Sequence, residues 1–313
     1  MGNEELKEIR AGYTDTITAL AAQNKNIVVL EADLMSCTNT GNFKNTYPNQ
    51  FVNVGIAEAN MVGIAAGLSA VGKIPFAASF GCFASRRVFD QFFISANYAR
   101  LNVKLIGTDP GVTAAMNGGT HMPFEDIALM QVIPNLIVAE PSDYYSCAAL
   151  VKEAAAYYGC VYLRFPRKPV PVVYNEKETF TFGKSKFIKE GKDLCFICLG
   201  SLLLNEALIA RETLAKEGID AGVLDLLTVK PLDKETILGL AGKVKALVTA
   251  ENAQLDGGVG STIAALLAEN GYKGKFGRIG IQNEFGEVGT QDYLAKRFGL
   301  TAEKLAEKAK TLI

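Results

Sequence analysis

Short apolar runs alternate along this chain with longer segments whose apolar residues recur at helical spacing. The first helical pattern covers 9–23, and an apolar run follows at 27–30. Further strands are predicted at 51–54, 74–78, 103–107, 136–139, 161–164, 194–199, 221–226, 246–250 and 277–281. Strands that alternate with helices are typical of a mostly parallel sheet covered by helices. The pattern therefore predicts an α/β fold.

Prolines and one polar stretch divide the chain into two parts. The dividing residues, which follow the last strand of the first half, are Pro166, Pro169, Pro171 and the polar residues 174–181. We therefore expect two α/β domains, at 1–172 and 191–313, with a linker at 173–190. Within the first domain, Asp143 is a typical helix cap and predicts a helix over 144–158.

Opposite charges nearly cancel, with 32 Lys and Arg against 33 Asp and Glu. The basic residues form no long block, so nucleic acid is not indicated as a partner. The first residues lack the basic and apolar regions of a secretory signal, and no apolar run reaches the roughly 18–20 residues that span a membrane. We expect a cytoplasmic protein without a membrane segment.

Two short patterns resemble known ligand sites. Cys195 and Cys198 have the spacing of a metal or redox pair, but they lie in an apolar run whose alternation points them to opposite faces. We interpret them as structural thiols, and we predict no metal site in this chain. The glycines at 257–260 lack the Lys of a phosphate loop and the spacing of a dinucleotide site, so they predict a packing turn.

Glu58 is the first candidate for chemistry. It lies among small and apolar residues just after the strand predicted at 51–54. A glutamate at a helix start can simply interact with the helix dipole, whereas a buried carboxylate needs a partner or a ligand. Residues 78–91 add aromatic rings and two arginines at the end of another strand. Together, these groups could hold a flat heterocycle.

Four spaced motifs resemble the C-terminal half of transketolase. They are Ile-Ala-Glu-Ala-Asn-Met at 56–61, the Ser-Phe and Phe-Asp-Gln block at 79–91, Gly-Thr-His-Met-Pro-Phe-Glu-Asp at 119–126, and Val-Lys-Pro-Leu-Asp at 229–233. The resemblance covers nearly the whole chain, and it implies a pyrimidine-binding domain at 1–172 and a transketolase C-terminal domain at 191–313. The wider family also includes deoxyxylulose-phosphate synthase and the β subunits of 2-oxoacid dehydrogenases.

The resemblance implies thiamine diphosphate as the cofactor, bound between two subunits. By this resemblance, Glu58 bonds to a pyrimidine ring nitrogen, and Phe80 and Phe83 match aromatic residues of the pyrimidine pocket. Core packing is the alternative role for both rings. Asp33 matches an acidic residue near the cofactor or the donor. Arg86 and Arg87 follow the rings, and spacing alone does not say which of the two points inward.

His121 is the only histidine of the chain, and it lies in a glycine-rich turn. It matches a histidine that lies near the donor hydroxyls in bacterial-type transketolases, and an imidazole can donate hydrogen bonds and move protons. A surface histidine without such a role is the alternative. Asn117 stands where the bacterial-type pattern has an aspartate, which leaves the preferred sugar open.

Arg10 and Arg167 match arginines that hold the sugar phosphate in the resembling enzymes. A guanidinium fork suits a phosphate dianion better than an ammonium does. Either arginine could instead form an ordinary surface ion pair. A position that often contacts substrate phosphate lies among three residues, Ser36, Cys37 and Thr38.

A complete transketolase also carries a Gly-Asp-Gly signature followed by an Asn metal ligand, and the sequence lacks this arrangement. The nearest candidate, at 255–258, comes too late in the chain. We therefore predict a C-terminal transketolase subunit that needs a separate N-terminal subunit, with two copies of each chain. Ligands for Mg²⁺ or Ca²⁺ are expected on that partner, because these ions prefer oxygen donors shared with phosphate.

The predicted reaction transfers a two-carbon ketol unit from a ketose phosphate to an aldose phosphate, as in the pentose phosphate pathway. One alternative is a β-type subunit of a 2-oxoacid-processing or deoxyxylulose-phosphate synthase-like enzyme. A second alternative is a non-catalytic scaffold with the same fold, since fold does not imply function.

Overall fold

The computed structural model describes residues 5–313, which form two compact units. The first unit contains residues up to 110 together with 129–182, and the second contains 111–128 together with 183–313. Both are α/β units with mostly parallel sheets, as predicted. Among the described residues, no helix combines the length and apolar character needed to cross a membrane.

The elements up to residue 182 follow the predicted alternation closely. They are β1 (Leu6–Glu8), α1 (Ile9–Gln23), β2 (Ile27–Glu31), α2 (Met35–Thr38), α3 (Gly41–Thr46), β3 (Phe51–Asn53), α4 (Glu58–Ala70), β4 (Ile74–Phe80), α5 (Phe89–Gln91), β5 (Lys104–Thr108), α6 (Asp126–Gln131), β6 (Ile137–Ala139), α7 (Tyr144–Ala156), β7 (Val161–Phe165) and β8 (Pro169–Pro171). Two π-helical segments, Phe83–Arg87 and Phe92–Tyr98, flank α5.

Six parallel strands of the first unit lie side by side in the order β6, β7, β5, β4, β2, β3. Strands β2, β5 and β7 are buried along their whole length, as expected for parallel strands covered on both faces. The register places Phe80, Thr108 and Phe165 opposite one another, each as the last residue of its strand. The following residues therefore meet at one edge of the sheet.

Hydrogen bonds to Asp143 connect the end of the first unit to the start of α7. Its Oδ1 accepts the backbone N–H of Ser146 at 2.8 Å in a capping box, which confirms the predicted helix start. Its Oδ2 accepts the N–H groups of Val173 and Tyr174 at 2.9 and 2.8 Å. Because β8 also pairs antiparallel with β1, residues 169–174 are held to this unit.

The second unit has a five-stranded sheet. Its elements are β9 (Lys186–Lys189), β10 (Leu194–Leu199), α8 (Gly200–Lys216), β11 (Ala221–Asp225), β12 (Thr228–Lys230), α9 (Lys234–Ala241), β13 (Ala246–Gln254), α10 (Val259–Glu269), β14 (Lys275–Ile281), α11 (Gln291–Arg297) and α12 (Ala302–Lys310). The strand order is β14, β13, β10, β11, β9, and only β9 runs antiparallel to its neighbour. Since β9 lies within 173–190, the second sheet begins inside the predicted linker.

The glycine turn before α10 is filled by the protein's own carboxylate. Glu251 is fully buried, and its two oxygens accept the N–H groups of Val259 and Gly260 at 2.7 and 2.8 Å. A Cβ on Gly258 would come within 2.3 Å of Glu251 Oε2. The amides that a phosphate would use are thus occupied, in agreement with the interpretation of this stretch as a packing turn.

Residues 111–128 belong to the second unit, although the sequence places them between two strands of the first. The Val112 N–H donates to Asn252 Oδ1 at 3.0 Å, and the Gln254 N–H donates to the Phe124 carbonyl at 2.7 Å. A Cβ on Gly111, which has a φ of +52°, would collide with Asn252. Short 3₁₀ turns without apolar periodicity fill this segment, so the sequence pattern does not show where it packs.

Replacing Asp143 should test how firmly 169–174 is held. We expect Asp143→Ala to lower the free energy of unfolding by about 3 kcal/mol, because it removes a helix cap and leaves the N–H groups of part-buried Val173 and buried Tyr174 without an acceptor. Urea unfolding followed by circular dichroism measures this loss. Asp292→Ala, at an exposed acid in the first turn of α11, is the control and should change stability by less than about 0.5 kcal/mol. Equal effects of both variants would contradict the anchoring role.

Candidate functional site

The carboxyl edge of the first sheet collects the polar groups of the candidate site. Asp33 follows β2, Glu58 begins α4 after β3, and Phe80 ends β4. Asp109 follows β5, and Arg167 lies two residues after β7. In open α/β sheets, ligands bind at this edge, in the crevice beyond the strand ends.

Glu58 is buried and paired with an arginine. Only 2% of it is exposed, and its Oε2 accepts a hydrogen bond from Arg87 Nη1 at 2.8 Å. As the first residue of α4, the carboxylate also interacts favourably with the helix dipole. Of the two arginines, Arg87 is therefore the one that pairs with Glu58.

Phe80 and Phe83 connect this ion pair to a second cation. Their ring centroids are 6.1 Å apart. The Arg87 guanidinium lies 3.8 Å from the Phe83 centroid, and the Arg167 guanidinium lies 5.1 Å from the Phe80 centroid. Each ring therefore has a cation within the range of a cation–π interaction.

Arg167 pairs with Asp109, a residue that we did not predict for the site. Arg167 Nε lies 2.5 Å from Asp109 Oδ2, and the aspartate is almost fully buried. Burial raises the pKa of Asp109 to about 6, while the positive charges of Arg167 and Arg10 oppose that rise. The sequence feature that could have identified Asp109 is an acidic residue directly after a buried strand.

Arg10 forms a two-point ion pair with Glu8. Its Nε and Nη2 donate to the two Glu8 oxygens at 2.8 and 3.1 Å. Its Nη1 donates to the carbonyl oxygens of Cys37 and Ser36 at 2.9 and 3.4 Å. Asp109 contacts Arg167 and also interacts electrostatically with Arg10, so both predicted anion-binding arginines are influenced by this carboxylate.

Glu31, the last residue of β2, organises the segment that carries Cys37. Its Oε1 accepts hydrogen bonds from the hydroxyls of Thr38 and Thr40 at 2.5 and 2.8 Å. Burial raises the pKa of this carboxyl to about 7, against the lowering effect of both hydrogen bonds. Thr38 is buried with its hydroxyl bound to Glu31, whereas Ser36 is exposed and Cys37 is half-buried.

Asp33 lies at the same edge but is exposed. Its backbone N–H donates to Asn53 Oδ1 at 3.0 Å, and its carboxylate accepts from Asn53 Nδ2 at 3.2 Å. With a φ of +62°, Asp33 turns the chain after β2. Its role near a cofactor or a donor stays a prediction.

His121 and Asn117 belong to the second unit, whereas the residues grouped around Glu58 belong to the first. His121 is half-buried, and its Nδ1 lies 2.9 Å from the Thr120 hydroxyl. Asn117 is exposed. The first unit thus brings together Glu58, Phe80, Phe83, Arg167 and Arg10, while the predicted roles of His121 and Asn117 stay predictions.

The groups around Glu58 fit a flat aromatic ring. A buried carboxylate can accept a hydrogen bond from a ring N–H, and neighbouring phenylalanines can stack on or edge against the ring. Over residues 5–313, no group of three or more His, Cys, Asp or Glu side chains is arranged to hold a metal ion. The described residues therefore fit a heterocycle but offer no acidic metal-ligand cluster.

Comparisons with known proteins agree with the motifs. The family described as "Transketolase, pyrimidine binding domain" matches residues 6–172, and "Transketolase, C-terminal domain" matches 183–305. These matches confirm the predicted resemblance and the fold class.

Similar proteins cover almost the same length. The 6-deoxy-6-sulfo-D-fructose transketolase subunit SqwH of Clostridium sp. is 46% identical over 96% of this chain and 93% of its own. A subunit of the apulose-4-phosphate transketolase of Phocaeicola vulgatus is 34% identical over 96% of each chain. A solved structure described as "Split gene transketolase, inactive beta4 tetramer" superposes with a TM-score of 0.89 at 39% identity, covering 97% of both chains.

The raised pKa of Glu31 predicts a pH-dependent stability. A carboxyl that binds its proton more tightly in the folded state loses stabilisation as the pH rises from its ordinary value of 4.5 to about 7. Glu31→Gln cannot ionise at this position. The difference in free energy of unfolding, variant minus wild type, should therefore become more positive by about 2 kcal/mol as the pH is raised from 5 to 8. Urea unfolding at both pH values measures the difference.

The control for this prediction is Glu212→Gln, which makes the same change at an exposed position of α8. Its stability relative to the wild type should stay constant between the two pH values. If Glu31→Gln also showed a constant difference, Glu31 would not titrate as its burial implies.

Proposed function

Because the chain belongs to the transketolase family, we propose that it is the C-terminal subunit of a split transketolase. The relatives named as subunits match it over nearly their whole length, which supports this proposal. The similar solved structure described as "Split gene transketolase, inactive beta4 tetramer" supports a separate N-terminal subunit. That subunit would hold the diphosphate of the cofactor and its Mg²⁺ or Ca²⁺.

The observation that carries the proposal is the ion pair between buried Glu58 and the more exposed Arg87, beside Phe80 and Phe83 at the carboxyl edge of the sheet. Thiamine diphosphate is the cofactor of this family and supplies the carbanion stabilisation for ketol transfer when bound. Glu58 would hydrogen-bond the pyrimidine ring, and the two phenylalanines would contact its faces and edges. Arg87 would orient the Glu58 carboxylate.

The remaining predicted site residues are proposed to contact the substrate or the cofactor. His121, whose Nδ1 contacts the Thr120 hydroxyl, would bind donor hydroxyls and move a proton, and the exposed Asn117 would contact the sugar. Arg10 and Arg167 would bind the terminal anion of the sugar, and Asp33 would lie near the cofactor or the donor. The named relatives act on a sulfonated ketose and a ketose phosphate, so the preferred donor is a ketose with a terminal anion.

We expect the isolated chain to transfer no ketol unit. The similar solved structure is described as an inactive tetramer of β chains, which supports this expectation. Co-expression with candidate N-terminal subunits should yield a complex with two copies of each chain that transfers ketol units when thiamine diphosphate and Mg²⁺ are added. Turnover by the isolated chain would contradict the split-subunit proposal. Carbon dioxide release from pyruvate would favour the 2-oxoacid alternative, and a stable complex inactive with both substrate classes would favour the scaffold.

In the assembled enzyme, Glu58→Gln should lower kcat by about 10²- to 10⁴-fold, the range of a lost acid–base contact. Arg87→Ala should lower kcat as well, because it leaves the Glu58 carboxylate buried and unpaired. Arg86→Ala is the matched control and should stay within about twofold, because Arg86 is an exposed neighbour that interacts with the Cys82 thiol. Near-normal turnover of Glu58→Gln would remove Glu58 from its proposed role.

A further inference from the structure

The two arginines proposed to bind the substrate's terminal anion are each paired with a carboxylate. Arg10 holds Glu8 through two hydrogen bonds, and Arg167 holds Asp109 through its Nε. All four side chains belong to the first unit. Two positive and two negative charges leave this cluster close to neutral.

Several N–H groups of Arg10 already donate hydrogen bonds within the protein. Its Nε and Nη2 form the edge that would otherwise take two oxygens of an anion, and Glu8 occupies that edge. Its Nη1 donates to the Cys37 carbonyl. Arg10 can therefore contribute only its remaining N–H groups to a substrate.

Asp109 places a negative charge in contact with Arg167 and within electrostatic range of Arg10. It is almost fully buried, it contacts Arg167, and it interacts electrostatically with Arg10. An anion held by both arginines would lie close to this carboxylate. Charges that are poorly exposed to water are screened weakly by salt, so each added negative charge on the ligand is opposed.

Substrate termini differ in charge. A phosphate monoester carries about −1.5 to −2 at pH 7, because its second pKa lies near 6. A sulfonate of similar shape carries one negative charge and gains no second one. A neutral arginine–carboxylate cluster discriminates against the second charge while still donating hydrogen bonds to either terminus.

Resting on the function proposed above, we infer that the donor bound at the Arg10–Arg167 cluster ends in a singly charged anion of the sulfonate class. Asp109 is the specificity-determining residue that disfavours a doubly charged phosphate. Glu8 acts in the same direction but more weakly, because its side chain is one-third exposed.

The test uses the assembled enzyme of this chain with its N-terminal subunit. The kcat/KM for 6-deoxy-6-sulfofructose is compared with that for fructose 6-phosphate, with each donor varied and one aldose acceptor held constant. We expect the wild type to prefer the sulfonate by about tenfold or more, which corresponds to about 1.4 kcal/mol. Asp109→Asn should raise kcat/KM for the phosphate donor relative to the sulfonate by about tenfold. Glu8→Gln should shift the ratio in the same direction by a smaller factor.

Asp15→Asn is the matched control. It removes the same charge from α1, the helix that carries Arg10, but Asp15 accepts from the Tyr144 hydroxyl and lies outside the cluster. This control should leave the ratio of the two donors unchanged. If Asp109→Asn fails to fold, Glu8→Gln, at a partly exposed residue, still tests whether the donor ratio shifts.

Two results would overturn the inference. One is a wild type that uses the phosphate donor as well as the sulfonate or better, and the other is a donor ratio that neither variant shifts beyond the control. If the assembled complex transfers no ketol unit from either donor, the proposed function itself fails, and this inference fails with it.

Discussion

The parallel register of the first sheet is the constraint on which the rest of the site depends. Because Phe80, Thr108 and Phe165 end their strands at one level, the residues that follow them meet at one edge. Hydrogen bonds between fully buried strands hold that level, since an unpaired backbone group there would cost free energy. The aromatic rings and charged groups are thus positioned by backbone pairing before any side chain contacts another.

Charge pairing is the second constraint at this edge. Three carboxylates, Glu8, Glu58 and Asp109, each bind an arginine, and the two most buried of them would be strongly destabilising without that partner. Glu31 differs, because two threonine hydroxyls hold it and its raised pKa reflects burial. This region therefore contains ion pairs, which orient side chains, and the titratable Glu31, which holds the segment with Thr38 and Thr40.

Much of the fold could be predicted from the sequence. The helix at 9–23 and the strand positions follow from apolar periodicity, and the cap at Asp143 follows from residue type. Periodicity could not place residues 111–128, because their short turns gain stability from contacts with Asn252 and Gln254 rather than from a regular pattern. It also missed β9, an edge strand of four residues that are only partly buried.

The sequence by itself determined the family, the α/β architecture and most candidate residues, because motifs and apolar spacing are local properties of the chain. Only the tertiary structure decided that Arg87 rather than Arg86 faces Glu58, and that Asp109 lies with Arg167 and Arg10. Arg10 and Arg167 are far apart along the chain, and their common interaction with Asp109 depends on how the elements pack. Ion pairing between distant residues is decided by geometry, which spacing along a sequence does not contain.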